Sequence, residues 1–237
     1  MGAVVNSLVQ RLADALFPNS CCLCQWRCPG RLPLCAPCRA ELAGNRCCCR
    51  RCALPLSGDG LLCGQCLQQP PAFDRVVAPW LYSEYLAFIL RRWKFHHDLA
   101  LTPLLADLWL DGASDVLPPD VLLPVPLHWY RQWRRGYNQA ELLARELAQA
   151  MPGLGVDTGL LQRSRATAAQ SGMSARQRAH NLRGAFTVSG GCDSLHVALV
   201  DDVLTTGATA GEAASALRRA GAARVDIWCL ARTPPPN

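Results

Sequence analysis

The chain has 237 residues with 50% hydrophobic content and a formal net charge of +6, and this apolar content suffices for the core of one or two domains. Charged residues or prolines interrupt its apolar runs well before the roughly 20 residues that a membrane-spanning helix requires, so we expect no membrane insertion. Residues 1–17 have apolar side chains at helical spacing and no basic start, which predicts a short amphipathic helix, no secretory signal and a cytoplasmic location.

The cysteines follow a repeated spacing near the start of the chain. Twelve of the 14 lie between positions 21 and 66, and a C-x2-C pair, ten residues and a second C-x2-C pair occur twice, 28 positions apart. Two such pairs, brought together by a hairpin, supply the four thiolates of a tetrahedral structural zinc site. The sequence therefore predicts two zinc sites, with the ligand sets Cys21, Cys24, Cys35, Cys38 and Cys49, Cys52, Cys63, Cys66.

Alternatives to these ligand sets stay open. A disulfide framework or a redox-active C-x2-C pair would also use paired cysteines, although a cytoplasmic location disfavours the disulfides. Four further cysteines lie beside the repeat and could replace a ligand, namely Cys22, Cys28, Cys47 and Cys48. Because this segment has little apolar material, metal binding is expected to supply much of its folding free energy.

The composition changes near residue 70, where two prolines follow the last clustered cysteine. We therefore place an N-terminal helix and a double zinc ribbon in residues 1–70 and a second domain in residues 71–237. Helical and strand patterns alternate in the second part, which predicts an α/β fold with a mostly parallel sheet. The predicted elements are a helical stretch over 86–110 broken near Asp98 or Pro103, a strand from Val121, a helix over 138–150, a strand over 197–200, a helix over 210–220 and a strand from Val225.

The segment VALVDDVLTTGAT, residues 197–209, carries the most specific functional pattern. Two acids, Asp201 and Asp202, follow a buried strand, at the edge where open α/β sheets bind ligands. The next residues offer hydroxyls and backbone amides at a helix start, which suits a phosphate, while the carboxylates suit ribose hydroxyls. Thr209 and Glu212 also fit a capping box. Neither a dinucleotide-binding glycine motif nor a P-loop occurs in the chain.

This segment resembles the 5-phosphoribosyl-1-pyrophosphate (PRPP) signature of type I phosphoribosyltransferases. With PVPLHWYRQWRRGYNQAELLARELA, LQRSRATAAQSGMSARQRAHNLRGAF and RRWKFHHDLAL, the chain is similar over nearly its whole length to the ComF family of ComFC- and GntX-like proteins, which join a double zinc ribbon to such a domain. The resemblance implies a phosphoribosyltransferase-type sheet and a Mg·PRPP ligand. It implies contacts from Asp201 and Asp202 to the ribose and from Thr205, Thr206, Gly207, Ala208 and Thr209 to the 5-phosphate.

The resemblance also implies two further parts of the site. The family's pyrophosphate loop falls on Arg134, Arg135, Gly136 and Tyr137, and guanidinium groups pair well with phosphate oxygens. A flap over residues 163–186 would exclude water, with Arg163, Arg165, Arg176, His180 and Arg183 as candidates, and an exposed basic helix is the alternative. Purine transferases of the 6-oxo class have an acid where this chain has Thr205, so no general base and no acceptor are assigned.

Two classes of function follow from these patterns. The first is an enzyme that transfers phosphoribose to an acceptor that the sequence does not identify. The second is a non-catalytic competence factor that senses PRPP or binds single-stranded DNA. For both classes the resemblance to the ComF family implies a role in natural competence, DNA uptake and DNA processing. Basic residues, Lys94 among them, alternate with aromatic residues in 129–137 and 91–95, a mixture that suits single-stranded nucleic acid. Competence helicase or recombination proteins remain candidate partners under this resemblance.

Overall fold

The computed structural model describes residues 19–28, 30–58, 61–113, 116–127, 129–164 and 182–235. The helix predicted for residues 1–17 lies outside them. Among the described residues, none of the helices has both the length and the apolar character needed to cross a bilayer.

A parallel sheet forms the centre of the second part of the chain. Its strands are β3 (Arg75–Val77), β4 (Trp80–Leu81), β5 (Val121–Pro124), β6 (Gly155–Val156), β9 (His196–Leu204) and β10 (Arg224–Arg232). The order is β3-β10-β9-β5-β6, with β4 also on β10, and every pairing is parallel. This confirms the predicted α/β class.

The central strands are apolar on both faces because both faces are covered. Along β9, Ala198 and Val200 lie in one core cluster while Val197 and Leu199 lie in the other. The same alternation places Trp228 of β10 against Trp109, with ring centroids 4.5 Å apart. Continuous apolar runs in the sequence therefore mark these strands correctly.

Helices cover the two faces of this sheet. They are α3 (Glu84–Phe95), α4 (Thr102–Gly112), α6 (Gln139–Ala150) and α7 (Ala208–Arg219), with a 3-10 turn at Leu99–Leu101. The short helix α5 (Trp129–Arg135) precedes α6 and exposes Tyr130 and Trp133. The break predicted near Asp98 is present, since α3 ends at Phe95 and the next helical turn begins at Leu99. Asn138 caps α6 as predicted, because its side chain accepts a hydrogen bond from the Ala140 amide at 3.1 Å. The strands β7 (Leu161–Arg163) and β8 (Phe186–Val188) form an antiparallel pair that the sequence did not predict.

The cysteine-rich segment contains little regular structure and packs directly against the α/β part. It holds β1 (Asn19–Ser20), β2 (Arg27–Cys28), α1 (Ala36–Ala40) and α2 (Gly64–Gln68). Its residues Cys21, Cys22, Leu34 and Leu42 share a core cluster with the helices of the sheet. Arg39 forms ion pairs with Asp107 and Asp111 of α4 at 2.7 and 3.1 Å. The proposed boundary near residue 70 falls between α2 and β3.

One prediction about the sheet is wrong in extent. The strand predicted for residues 197–200 continues to Leu204, so Asp201 and Asp202 lie within β9 and not beyond it. The pairing of β9 with β10 continues as far as Leu204 and Arg232. The two acids are therefore part of the strand, although aspartate has a low strand propensity. The carboxylates have local partners, since the amides of Asp202 and Val203 donate to the preceding side chains at 2.8 and 2.6 Å.

Candidate functional site

The acid pair lies near the carboxyl end of β9, next to the end of β5. Pro124 of β5 is in register with Val200, and the Val125 amide donates to the Val200 carbonyl at 2.9 Å. Chains leaving the two strands therefore begin side by side at one edge of the sheet. This is the edge at which open parallel sheets bind ligands.

The two carboxylates have different environments. Burial, reinforced by the neighbouring Asp202 charge, raises the pKa of Asp201 to about 7, although Lys94 and Arg163 act in the opposite direction. Asp202 forms an ion pair with the Lys94 Nζ atom at 2.6 Å, and both side chains are less than one-fifth exposed. The pair is therefore a partly desolvated acidic site with a fixed cation beside it, and not a solvated loop.

After β9 the chain makes a tight turn into α7. Gly207 has φ +77°, in the left-handed region that side-chain-bearing residues avoid, and it occupies the N-cap position of α7. No side chain caps the helix from that position, while the Thr206 hydroxyl lies 3.4 Å from the Ala208 amide. Thr205 and Thr206 are exposed. The first turn of α7 therefore presents amides and hydroxyls to an anion at the end of the strand that carries the acids.

The capping box expected from Thr209 and Glu212 is absent from this helix start. Thr209 lies inside α7, and the Glu212 carboxylate instead accepts a hydrogen bond from the Gly184 amide at 2.8 Å. Because α7 starts two residues earlier than predicted, the Thr209 hydroxyl does not compete with a phosphate through that box.

The candidate pyrophosphate segment lies where expected, between β5 and α6, but its shape differs. Residues 129–135 form a short helix, and Gly136, with φ +79°, turns the chain into the cap of α6. Arg135 lies over the Phe95 ring at 5.4 Å and donates to Gln139 at 2.7 Å. Tyr137 donates to the Trp93 carbonyl at 2.8 Å, so its ring belongs to the packing of α3. The Arg134 side chain lies outside the described atoms.

The candidate flap is described only at its ends. Arg163, whose charge lowers the pKa of Asp201, lies on β7 over the Phe186 ring, and Arg183 is exposed just before β8. The candidates Arg165, Arg176 and His180 lie outside the described residues. The paired strands β7 and β8 thus contain the two ends of the predicted flap, and Arg163 at the first end lies close enough to Asp201 to affect its pKa.

Sequence reasoning named one of the two cations that contact this site, Lys94 in the basic and aromatic stretch 91–95, but did not connect it with the acids, and it did not single out Arg232. Lys94 reaches Asp202 from the last turn of α3, 108 positions away along the chain, and Arg232 donates to the carbonyls of Leu204 and Thr205 from the end of β10. The sequence signal for Lys94 is its place in the motif RRWKFHHDLAL, and the signal for Arg232 is a charged residue at the end of an otherwise apolar strand. Trp93, expected among stacking aromatics, is fully buried and donates to Thr102 at 3.0 Å.

The cysteines form two groups with the composition predicted from the repeat. The sulfur atoms within each group lie within 4.8 Å of one another; the first cysteine group is Cys21, Cys24, Cys35, Cys38 and the second cysteine group is Cys49, Cys52, Cys63, Cys66. A zinc tetrahedron with bonds of about 2.3 Å has sulfur–sulfur edges of about 3.8 Å. The Cys24–Cys35 and Cys52–Cys63 separations are 3.7 and 3.6 Å, far longer than a disulfide bond of about 2.05 Å. Both groups could hold zinc.

The duplication seen in the spacing is also present in the backbone. Gln25 and Ala53, 28 positions apart, both have positive φ, and their amides donate to the carbonyls of Cys21 and Cys49 at 2.9 and 2.8 Å. Such turns direct backbone amides at the first sulfur. Although burial opposes it, hydrogen bonds from the Cys24 and Cys35 amides lower the pKa of Cys21 to about 6. Burial likewise opposes the amides of Cys52 and Cys63, which lower the pKa of Cys49 to about 7 and so favour the thiolate that zinc requires.

Comparison with known proteins agrees with this architecture. Residues 134–235 match the family model of the phosphoribosyl transferase domain. The DNA utilization protein YhgH of Salmonella typhi is 42% identical over 174 residues, which cover 71% of this chain and 76% of that protein. The competence protein F of Haemophilus influenzae is 37% identical over 178 residues, which cover 70% and 76%. A glutamine PRPP amidotransferase from B. subtilis, complexed with ADP and GMP, has a TM-score of 0.36 and 23% identity over 54% of this chain and 25% of that one.

The parallel sheet, the matched domain and the two cysteine groups define a phosphoribosyltransferase-type protein with a double zinc ribbon. The chain belongs to the ComF family, which the competence protein F and YhgH relatives represent.

Proposed function

We propose that this chain binds Mg·PRPP at the carboxyl end of β9. Asp201 and Asp202 accept hydrogen bonds from the ribose hydroxyls, and the 5-phosphate is held by the turn into α7, residues Thr205, Thr206, Gly207, Ala208 and Thr209. The observation that carries this proposal is the direct connection of a half-buried acid pair to an αL glycine at the N-cap of α7, where no side chain of the N-cap residue blocks the helix start. A pentose that carries a phosphate is complementary to that combination of acceptors and donors.

The charges around the pair favour a polyanion that carries its own cation. Lys94 and Arg163 lie close enough to Asp201 to lower its pKa, and the positive end of the α7 dipole faces the same edge. Mg²⁺ keeps several waters and binds mainly to ligand oxygens, so it enters with PRPP and requires few protein ligands. The two carboxylates fit this role because they can accept hydrogen bonds from metal-bound water as well as from the ribose.

The proposed chemistry is transfer of the phosphoribosyl group with loss of pyrophosphate from C1. In such a reaction the chain's residues neutralise the leaving group, hold the ribose and exclude water. Arg134 and Arg135 lie in the segment next to the acid strand and are the proposed pyrophosphate contacts. The flap candidates on 163–186 would close over the bound ligand. The process we propose is natural competence and DNA uptake, after the names of the relatives.

Calorimetric titration of the zinc-loaded protein with Mg·PRPP tests this proposal. We expect saturable heat for the wild type and loss of binding for the double variant Asp201→Asn/Asp202→Asn. The matched control is Glu84→Gln/Glu146→Gln, which removes two negative charges from the start of α3 and from α6. Absence of heat in the wild type, or equal binding by the double variant, contradicts the proposed site.

A second candidate function is supported by an exposed aromatic surface next to the site. We define the aromatic patch as Phe95, Tyr130 and Trp133, which are 63%, 51% and 78% exposed. The Tyr130 and Trp133 rings stack with centroids 6.4 Å apart, and the Arg135 guanidinium lies over Phe95. Exposed rings beside guanidinium groups bind unpaired bases and phosphates, so this patch suits single-stranded DNA.

Fluorescence titration with single-stranded DNA tests the aromatic patch. Stacking is worth about 1–3 kcal/mol per base, so Trp133→Ala should weaken binding by about tenfold. Trp26→Ala is the control, because Trp26 is equally exposed at 78% but lies in the first cysteine repeat. Affinity should also fall steeply between about 50 and about 200 mM salt. Equal losses in both variants, or a salt-independent affinity, rule out the patch as the DNA contact.

A further inference from the structure

Arg232 is a buried arginine with an unusual set of partners. It closes β10, is only 7% exposed, and forms no ion pair with any acid in the part of the chain that the structure describes. Within that part its guanidinium donates to backbone carbonyls, namely those of Leu204 at 3.0 Å, Thr205, Thr233 at 2.9 Å and Cys52 at 3.0 Å. A buried charge is costly without compensation, so these carbonyls are what hold it there.

The partners of Arg232 belong to two different parts of the protein. Leu204 and Thr205 are the end of β9 and the first residue of the proposed phosphate turn. Cys52 belongs to the second cysteine group, with its sulfur 3.6 Å from that of Cys63. A metal that binds the Cys52 sulfur also restrains its backbone carbonyl, because the two lie in one short residue. One planar guanidinium therefore joins the second cysteine group to the turn.

We propose that Arg232 is a positioning residue through which metal binding at the second cysteine group holds the turn at 205–209 in its ligand-binding geometry. The identity of the ligand, Mg·PRPP, rests on the proposed function. The coupling between the second cysteine group and the turn does not depend on it. Arg232 does not touch the ligand in this scheme. It fixes the carbonyls of Leu204 and Thr205, and so directs the following hydroxyls and amides toward the phosphate.

The fork geometry of the guanidinium is what the coupling requires. The Nε atom donates to Cys52 while the Nη1 atom donates to the turn, so one rigid plane spans both. A lysine keeps the charge but cannot donate from two fixed, separated nitrogens. Arg232→Lys therefore removes the connection with the least change in charge, and Arg232→Met tests the charge as well.

Arg51 provides a matched control. It lies in the same repeat, next to Cys52, and also donates to carbonyls of the α/β part, at Phe73 and Pro71 over 3.2 and 3.3 Å. These acceptors lie at the start of the α/β part and outside the turn. Arg51→Lys thus removes an equivalent pair of guanidinium hydrogen bonds but none that involves residues 204–209.

The experiment measures hydrogen exchange of residues 204–209, zinc content and Mg·PRPP affinity in the zinc-loaded chain. We expect Arg232→Lys to retain both zinc ions, to exchange faster at the turn and to bind Mg·PRPP about tenfold more weakly, because hydrogen bonds from a charged donor are lost. Arg51→Lys should stay within about twofold of the wild type in exchange at the turn. Unchanged exchange at the turn in Arg232→Lys overturns the proposal.

A double-mutant cycle separates this proposal from the proposed function. Cys66→Ser, which removes a ligand of the second cysteine group other than Cys52, should speed exchange at 204–209 in the wild type but add nothing in the Arg232→Lys background. Additive effects of the two substitutions overturn the coupling. If the wild type does not bind Mg·PRPP, the proposed function fails, while the exchange results still decide whether Arg232 transmits metal occupancy to the turn.

Discussion

The stability of Asp201→Asn relative to the wild type should increase as the pH rises from acidic to alkaline values. Burial and the Asp202 charge raise the pKa of Asp201 from 3.8 to about 7 in the folded chain. Between these two values the native state binds more protons than the unfolded state, so wild-type stability falls as the pH rises. Asparagine carries no such charge, yet its carbonyl oxygen can still accept the 2.8 Å hydrogen bond from the Asp202 amide.

The size of this effect follows from the pKa difference. Between the two pKa values each rise of one pH unit costs the wild type about 1.4 kcal/mol, so raising the pH from about 5.5 to about 8 should cost about 2 kcal/mol that Asp201→Asn does not lose. Above about pH 7 the difference should level off. Because both proteins carry the same cysteines, the pH dependence of zinc binding cancels in the comparison.

Urea unfolding at the two pH values, followed by circular dichroism, measures the difference. Glu146→Gln serves as the control for loss of one negative charge on the helix α6. A pH-independent difference for Asp201→Asn, or a variant less stable than the wild type at about pH 8, would refute the reasoning that Asp201 is a desolvated acid.

The remaining predictions concern Lys94, the glycine turn at Gly207 and the zinc sites. Lys94→Met removes the ion pair with Asp202 and should weaken Mg·PRPP binding by about tenfold in calorimetry, with Lys94→Arg partly restoring it. Gly207→Ala places a side chain at φ +77° and should lower the free energy of unfolding by about 1–2 kcal/mol, whereas Gly211→Ala, inside α7, should raise it by about 0.5–1 kcal/mol. Equal effects of the two alanines would contradict the strain argument. Chelation of zinc should expose residues 19–68 to limited proteolysis, because each structural site contributes on the order of 10 kcal/mol. If residues 19–68 stayed equally resistant to the protease after zinc had been removed, packing alone would stabilise this segment.

Local patterns predicted those features whose causes are local. The four apolar residues before the acids, the cap at Asn138 and the cysteine repeat each carry their own signal in neighbouring positions, and the structure reproduces them. The two sulfur groups follow because a C-x2-C turn brings two sulfur atoms together by itself.

Features that depend on distant parts of the chain were missed or misplaced. The acids were expected beyond the strand because the apolar run ends at Val200, but pairing of β9 with β10 up to Arg232 extends the strand past them. Lys94 and Arg232 reach the site from α3 and β10, and only the tertiary arrangement shows that they do. The expected stacking role of Trp93 was wrong because periodicity cannot distinguish a buried tryptophan from an exposed one.

Hydrogen exchange with and without Mg·PRPP tests most directly whether the acid strand and the start of α7 form the ligand site. Saturating ligand should slow exchange in peptides that cover residues 201–210 of the wild type and leave those of Asp201→Asn/Asp202→Asn unchanged. Binding detected by calorimetry without protection of residues 201–210 would place the ligand elsewhere and contradict the proposed site.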